Sequence, residues 1–573
     1  VADRTYIKNF QDMAIKWQQD YGVNYWKWDG FADGYQYSTW PAADGVPGYA
    51  NNHMTGGYQN MYHVTDLWEA WIDLFEAVRQ SEMDDDIDDL WISLTCYVNP
   101  SPWWLQWANS VWIQCTADQA DAGPSSSKMD RQLTYRDACY YDFINNHEFQ
   151  FPLRNLYNHD PVYGREGTGM NVNTADDQQF QNYLYMMSTR GSAFWELYFS
   201  DSLMTEGKYE VTSEFLQWAE ENHHILQNAK MFGGSPNTGT TLGGNGGGEN
   251  QTYGFSAFDG TAGIISLRNP STETKEITFT FDRTLGVPEN AGTLYYHLEH
   301  THNLTDGTPA AGTLIYGDTY TFTLQPDEVR ILSIADQRDT QAPQIERIMS
   351  DGDREITVRF NEKVTGNSFA VDGAEVDNIE KSADDVTYHI TLADRPQSGS
   401  LITVTAQDIT DLSGNTAGSA SASVTYHEDG LVLDAQAEGL EGRQELSDAD
   451  SLNSANGFTV FVNLQSQSSG VLAAQENGYE LGVDDEGRAY FTLNGVSAVS
   501  QTAVNDGELH SIIGVKENNG ILKLYVDGGL EASAYQADNR YYMVKAAPTI
   551  LGNADFAGDI TLQVYDLAKG YDE

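Results

Sequence analysis

The sequence predicts a multidomain chain: an α/β region built on a parallel sheet, followed by three all-β sandwich domains. Length is the first observation, since 573 residues exceed one ordinary domain and imply about four. Composition is the second. All 13 tryptophans lie at or before Trp218 and all three cysteines before residue 140, so the chain divides near residue 230. Periodicity is the third: short apolar runs alternate with helical patterns before that divide, and period-2 alternation dominates beyond it.

Tyr6 to Gln19 reads as a helix, because Phe10, Met13, Ala14 and Trp17 recur at helical spacing, and Val23 to Trp28 reads as the strand after it. Thr65 to Ser81 reads as a helix capped by Thr65, with Leu67, Trp68, Trp71, Leu74, Phe75 and Val78 on its apolar face. Leu90 to Cys96 is predicted as a strand, Pro102 to Ala108 as a short Trp-rich helix, and Val111 to Thr116 as the next strand. A helix near Leu133 to Ile144, a strand near Phe151 to Leu156, a helix Ala175 to Met187, a strand Phe194 to Phe199 and a helix Val211 to Leu226 follow. Five strand-then-helix units are too few to close an eight-stranded barrel, which takes roughly 250 residues. The expectation is a partial (β/α)8 TIM barrel over residues 1–232, its amino-terminal half lying outside this sequence.

Gly233 to Gly248 is rich in Gly, Asn and Thr and reads as a loop. Residues 249–337 alternate, as in Ile277-Thr278-Phe279-Thr280-Phe281, and predict an antiparallel sandwich packed on the barrel. After the linker Asp339 to Pro343, residues 343–427 have the length and patterning of an immunoglobulin-like module. Residues 430–573, with Phe458 to Val462 and Leu522 to Gly528, predict a larger sandwich of laminin-G or concanavalin type.

Charge narrows the partners. With 31 basic and 84 acidic residues, the net charge of -53 repels polyanions, which disfavours nucleic acid and anionic membrane. No stretch approaches the roughly 18 to 20 apolar residues of a membrane span, and the first residues lack a signal pattern. Cys96, Cys115 and Cys139 cannot all pair and have no metal-ligand spacing, so they read as buried thiols. An acidic, modular, β-rich chain predicts an extracellular or cell-surface bacterial glycan enzyme.

Chemistry is expected where parallel strands end in polar residues. Tyr25-Trp26-Lys27-Trp28-Asp29-Gly30 ends an aromatic strand in a carboxylate, and Ala117-Asp118-Gln119-Ala120-Asp121 follows a second apolar run. Two acids at two strand ends suit glycosidic hydrolysis, one as nucleophile and one as acid and then base. Lys27 shares a strand face with Asp29 and would keep the nucleophile anionic, while Trp26 and Trp28 would face the barrel wall. Asp-Gly is also a common turn dipeptide, so strand end and plain turn both fit Asp29.

Lys27-Trp28-Asp29-Gly30 resembles the nucleophile motif of glycoside hydrolase clan D, the melibiase-type enzymes of family 36 and their relatives, which places it at the fourth barrel strand. The segment 117–121 resembles the clan's acid/base segment at the sixth strand, with Asp118 at the acid/base position. Cys96 falls where the fifth strand of family 36 ends in a cysteine, and Met187 to Gly191 followed by Trp195-Glu196-Leu197 resembles the closing helix and strand. The resemblance covers residues 1 to about 335 and implies barrel strands 4 to 8 with strands 1 to 3 preceding. It implies a retaining exo-glycosidase acting on terminal α-linked galactose-type residues, with Asp29 and Asp118 catalytic and Lys27, Trp28, Cys96, Trp112, Asp121 and Asp160 binding substrate. The chemistry needs no cofactor or metal. Tyr97 to Trp104 replaces the clan's glycine-rich segment and arginine, and loop Phe31 to His63 is long and aromatic. Activity as an α-galactosaminidase or α-N-acetylgalactosaminidase therefore competes with α-galactosidase activity, and a non-catalytic glycan-binding surface protein is the reading from another class.

Other clusters carry blander expectations. Asn158-His159-Asp160-Pro161 is a substrate contact or a turn. Arg131, Arg136 and Asp137 read as surface ion pairs, and Asp84 to Asp89 as a solvated connection without the interleaved spacing of a calcium loop. Gly243 to Gly248 lacks the lysine of a phosphate cradle. Trp103, Trp104 and Trp107 fit either sugar stacking or a helix core face. The carboxyl-terminal sandwich is a candidate holder of a glycan ligand.

Overall fold

The computed structural model describes residues 4–29, 61–84, 89–95, 101–113, 120–146, 152–157, 159–164, 175–193, 195–237, 250–301, 311–446, 452–454, 456–539 and 542–570. Strands outnumber helices, and the strands assemble into several sandwich-like sheets. The chain divides into two compact units, residues 1–340 with 412–414, and residues 341–411 with 415–573. Among the described residues no helix is long and apolar enough to cross a membrane.

The first unit opens with helix α1 (Arg4–Tyr21), strand β1 (Tyr25–Asp29), helix α2 (Met61–Asp84), and strands β2 (Trp91–Thr95) and β3 (Ser110–Trp112). Helix α3 (Lys128–Tyr141) leads to β4 (Leu156–Tyr157) and β5 (Val162–Tyr163), then α4 (Asp177–Ser188), β6 (Tyr198–Phe199) and α5 (Glu206–Leu226). Strands β1, β2, β3 and β4 form one sheet in that order, every pairing parallel. A parallel β5–β6 pair lies beside them in sequence. Parallel neighbours need a crossover; α2 lies between β1 and β2 and α3 between β3 and β4, while among the described residues only a 3-10 turn lies between β2 and β3.

Alternation decides which side of this sheet is dry. Trp26 and Trp28 of β1, Ile92 and Leu94 of β2, Val111 of β3 and Leu156 of β4 are buried in one cluster with Ala14 of α1 and Trp71, Leu74, Phe75 and Val78 of α2. The Trp28 ring stacks on Phe75 at 5.1 Å and on Trp26 at 5.7 Å. Burying each such side chain contributes about 2–3 kcal/mol. Odd-numbered residues of β1 and β2 therefore take the opposite face.

Caps fix the later helices. Ser127 accepts the Asp130 N–H at 3.2 Å at the start of α3, Asp176 and Gln179 form a capping box on α4, and Thr205 accepts the Lys208 N–H at 3.2 Å on α5.

Several expectations need correction. Thr65 does not cap α2, which begins at Met61 and runs through it. The Trp-rich segment is a 3-10 turn, Pro102–Gln106, capped by Ser101. Within the expected strand Phe151 to Leu156, Leu153–Asn155 is a 3-10 turn, and among the described residues the strand is Leu156–Tyr157. The last strand shrinks to Tyr198–Phe199. Strand β5 has no helical or long apolar signature and escapes sequence reading. The run Asp84 to Asp89 lies largely outside the described residues, as do Gly243 to Gly248 and Cys115.

An antiparallel sandwich completes this unit. Strands β7 (Lys230–Gly233), β8 (Tyr253–Asp259), β9 (Ala262–Arg268), β10 (Lys275–Thr280), β11 (Thr293–Thr301), β12 (Ala311–Ile315), β13 (Thr319–Leu324) and β14 (Val329–Ala335) form a six-stranded sheet, ordered β12-β11-β14-β9-β8-β7, and a two-stranded antiparallel β10–β13 sheet. Its edge strand β7 starts at Lys230, just before the expected end of the α/β region.

Among the described residues the second unit is all-β apart from short 3-10 turns. Its first part packs a four-stranded sheet and two three-stranded sheets around Ile356, Val358, Phe360, Tyr388, Ile390, Ile402 and Val404. Residues 431–565 form two six-stranded antiparallel sheets around a core that includes Phe458, Val460, Leu481, Phe491, Leu524 and Leu562. Strict alternation, as in Ile521–Val526, is why this part was readable from sequence.

One titratable pair sits inside that last sandwich. Asp566 is buried, which pushes its carboxyl from 3.8 to about 7 against the opposing pull of Ser454 and Lys516. Burial likewise lowers Lys516 from 10.5 to about 8, and its ammonium donates to the Asn456 carbonyl at 3.0 Å. Between pH 3.8 and about 7 the folded state holds the Asp566 proton that the unfolded chain has lost, so stability falls as pH rises through that window. From about pH 8 to 10.5 the unfolded chain holds the Lys516 proton that the folded state has lost, so stability recovers. Calorimetric unfolding of the chain should show this domain's midpoint lowest near pH 7 to 8, with Asp566→Asn flattening the acidic side. An identical pH dependence in both proteins would refute the assignment.

Candidate active site

The face of the parallel sheet turned away from the helices is polar and aromatic. It carries Tyr25 and Lys27 of β1, Ser93 and Thr95 of β2, Ser110 and Trp112 of β3, and Tyr157 of β4. Ser93 and Ser110 share a hydrogen bond of 2.8 Å, and the Trp91 indole donates to Ser93 Oγ at 3.0 Å. Thr95 Oγ1 and the Tyr157 hydroxyl are 2.7 Å apart. The first of these bonds joins β2 to β3, the second lies within β2, and the third spans from β2 to β4, on a face whose Ser93, Thr95, Ser110, Trp112 and Tyr157 are buried.

Lys27 stands on β1, at one edge of this sheet among the described residues. Its Nζ donates to Glu196 Oε1 at 2.5 Å and lies 5.8 Å from the centroid of the Tyr157 ring. The other Glu196 oxygen pairs with His159 Nδ1. The His159 ring in turn packs on Trp112 at 5.6 Å and against the edge of Tyr198 at 5.3 Å. Lys27, His159 and Glu196 are 25%, 18% and 12% exposed, so the group borders open space without being fully solvated. Burial would raise the Glu196 pKa, but hydrogen bonds from His159 and Lys27 outweigh it and hold the carboxyl below its ordinary value. The result is an anion bridging two strand ends.

The structure places the expected residues unequally. Asp29 ends β1 in register with Thr95, two residues beyond Lys27. Asp118 and Cys96 lie outside the described residues. Lys27 and Trp112 meet in the layer just described. Trp28 does not: it is buried against α2, so its expected role in substrate binding is corrected to a core role. Asp121 lies in an ion pair with Arg131 at 3.2 Å, and its side chain is 42% exposed.

Asp160 is also corrected. It is buried, and its two oxygens accept from the Tyr183 hydroxyl and Arg190 Nη1. Arg190 Nε reaches Asp137 Oδ1 at 2.6 Å, and the Tyr253 hydroxyl of β8 donates to Asp137 Oδ2. Asp137 and Arg136, expected at the surface, are therefore interior, whereas Arg131 keeps its exposed pair. The tryptophans resolve similarly. Trp104 is buried and Trp103 is exposed, and the cluster packs on Trp68 of the helical layer.

Sequence reading missed Glu196 and passed over His159 for Asp160. β4 holds only Leu156 and Tyr157, too short a run for strand parity to have marked position 159.

The concanavalin A-like lectin/glucanases superfamily model matches residues 439–566, which form a concanavalin A-like domain. No curated protein sequence matches the chain. Among solved structures, the putative α-N-acetylgalactosaminidase of Bacillus halodurans C-125 aligns with a TM-score of 0.33 at 12% identity, covering 58% of this chain and 62% of that one. The chain thus spans less than two-thirds of that protein. The α-galactosidase of Saccharomyces cerevisiae with raffinose aligns with a TM-score of 0.32 at 10% identity, covering 56% of this chain and 74% of that one. The native heptameric SAP-like pentraxin of Limulus polyphemus aligns with a TM-score of 0.18 at 14% identity, covering 23% and 75%.

Proposed function

We propose that the α/β region is the carboxyl-terminal part of a (β/α)8 barrel that hydrolyses terminal α-linked galactose-type residues with retention. Asp29 attacks the anomeric carbon while Asp118 protonates the departing glycosidic oxygen. Asp118 then takes a proton from the water that releases the glycosyl-enzyme. Such a pair works at a carboxyl separation of about 5 to 5.5 Å. The observation that carries the reading is the polar face of β1: Lys27 stands two residues before Asp29, amid His159, Glu196, Trp112 and Tyr157, on the side of the sheet away from the helices. An aromatic wall beside fixed hydrogen-bond donors is what a sugar's apolar face and hydroxyls require.

The family 36-like motifs support the galactose class, and the replacement at Tyr97 to Trp104 keeps 2-amino and 2-acetamido galactosides in contention. The concanavalin A-like domain supports a glycan ligand of its own, separate from the barrel chemistry. Secretion or display at a bacterial surface is part of the same proposal.

Chromogenic α-galactoside, α-N-acetylgalactosaminide and α-galactosaminide substrates, offered to the full-length gene product, test it. Cleavage of one with release of the α-anomer is expected. Sugar binding without cleavage of any would leave a glycan-binding surface protein instead.

A further inference from the structure

We propose that Glu196 is a positioning residue, a clamp that ties Lys27 of β1 to His159 beyond β4 and so fixes the lysine on the strand that ends at the proposed nucleophile, Asp29. This deepens the hydrolase reading and rests on it. Three elements meet at this carboxylate. Lys27 arrives from β1, His159 from the segment after β4, and Glu196 from the segment before β6. None is a neighbour of another in sequence, the Lys27 and Glu196 positions being 169 residues apart. A lysine has four rotatable side-chain bonds and three donors, so an unclamped ammonium would sample many positions. One donor spent on Glu196 leaves the others aimed from a fixed point, which is what orientation of a sugar hydroxyl demands.

Charge supplies the second reason. The groups facing Glu196 are Lys27 and Tyr25 from β1, His159 after β4, and Tyr198 of β6, with Trp112 behind the imidazole. Glu196 is the anion that offsets Lys27. Without it the ammonium would stand uncompensated two residues before the proposed nucleophile in sequence, and a cation beside a carboxylate favours its ionised form to lower pH.

Lysine acetylation read by mass spectrometry tests the clamp without relying on turnover. In Glu196→Gln, which keeps the side-chain shape, acetylation of Lys27 by acetic anhydride should rise about 5-fold relative to exposed Lys8 and Lys16, because a released ammonium loses its partner. Lys208, buried against Asp177, should not change and reports any general loosening. Glu196→Asp should fall between parent and Gln variant. On the best chromogenic substrate, Glu196→Gln should lower kcat/KM by about 10- to 100-fold, with the acidic limb of its pH profile moved to lower pH. A merely structural role would scale the profile without moving its limb. Unchanged Lys27 acetylation overturns the clamp, and so does an active parent whose kcat/KM and acidic limb are the same in the variant. A parent that cleaves no substrate, with Lys27 exposed by the substitution, removes the hydrolase reading and keeps the clamp.

Discussion

Asp29→Asn is expected to reduce kcat on the preferred chromogenic glycoside by a factor on the order of 10^4 while sugar affinity changes only several-fold. The amide keeps the shape of the carboxylate but cannot supply the electron pair that forms the glycosyl-enzyme bond, so the first displacement stops. On the proposed reading Lys27, Trp112 and the groups around them carry most of the affinity, and the substitution leaves them in place. Asp29→Gly should be partly rescued by external azide, because a small anion can enter the vacated space and attack the anomeric carbon from the same side. The product would then be the β-glycosyl azide, one inversion from the α-linked substrate. Measurement of kcat, of binding to the inactive variant, and of product stereochemistry checks each step. An Asp29→Asn protein with near-parental kcat would exclude Asp29 as the nucleophile, whatever the fate of the fold.

How much of this was legible depends on strand length. β1 has five residues in clear alternation, and the sequence placed Trp26 and Trp28 against the wall and Lys27 on the opposite face. The same alternation argued against Trp28 as a substrate contact, yet the motif resemblance kept it among the expected binders. In the structure Trp28 is core. β4 offers only Leu156 and Tyr157, too few for a parity reading, so nothing in the sequence singled out His159 from its neighbour Asp160. Glu196 sits between Trp195 and Leu197, where neither a helical nor an extended period marks a face, and its role emerges only when β1 and β4 are brought beside it. The distal sandwiches were legible because their strands are long and one face of each is dry, as at Ile521–Val526.

Arg190 is the second position where a large effect is expected. Its guanidinium is buried and contacts Asp137 of α3 and Asp160 after β4, while Tyr183 and Tyr253 complete the two carboxylates. Burial disfavours its charge, but Asp137 and Asp160 together raise its pKa further above the ordinary arginine value, so the cation persists at any working pH. Arg190→Ala would strand two carboxylates without a counterion in the interior. Breaking such a group by removing one partner costs roughly 3–5 kcal/mol, which for a unit of this size lowers the unfolding midpoint by on the order of 10 °C. Arg190→Met combined with Asp137→Asn and Asp160→Asn should recover much of that loss, because neutral groups of similar volume no longer need the cation. Thermal unfolding of the three proteins decides the matter, and an Arg190→Ala midpoint within about 2 °C of the parent would refute it. The consequence reaches the candidate site through one peptide bond. Asp160 holds the backbone that presents His159 to Glu196, so Arg190→Ala should also weaken the Lys27 clamp, whereas the neutral triple variant should restore the fold and the clamp together.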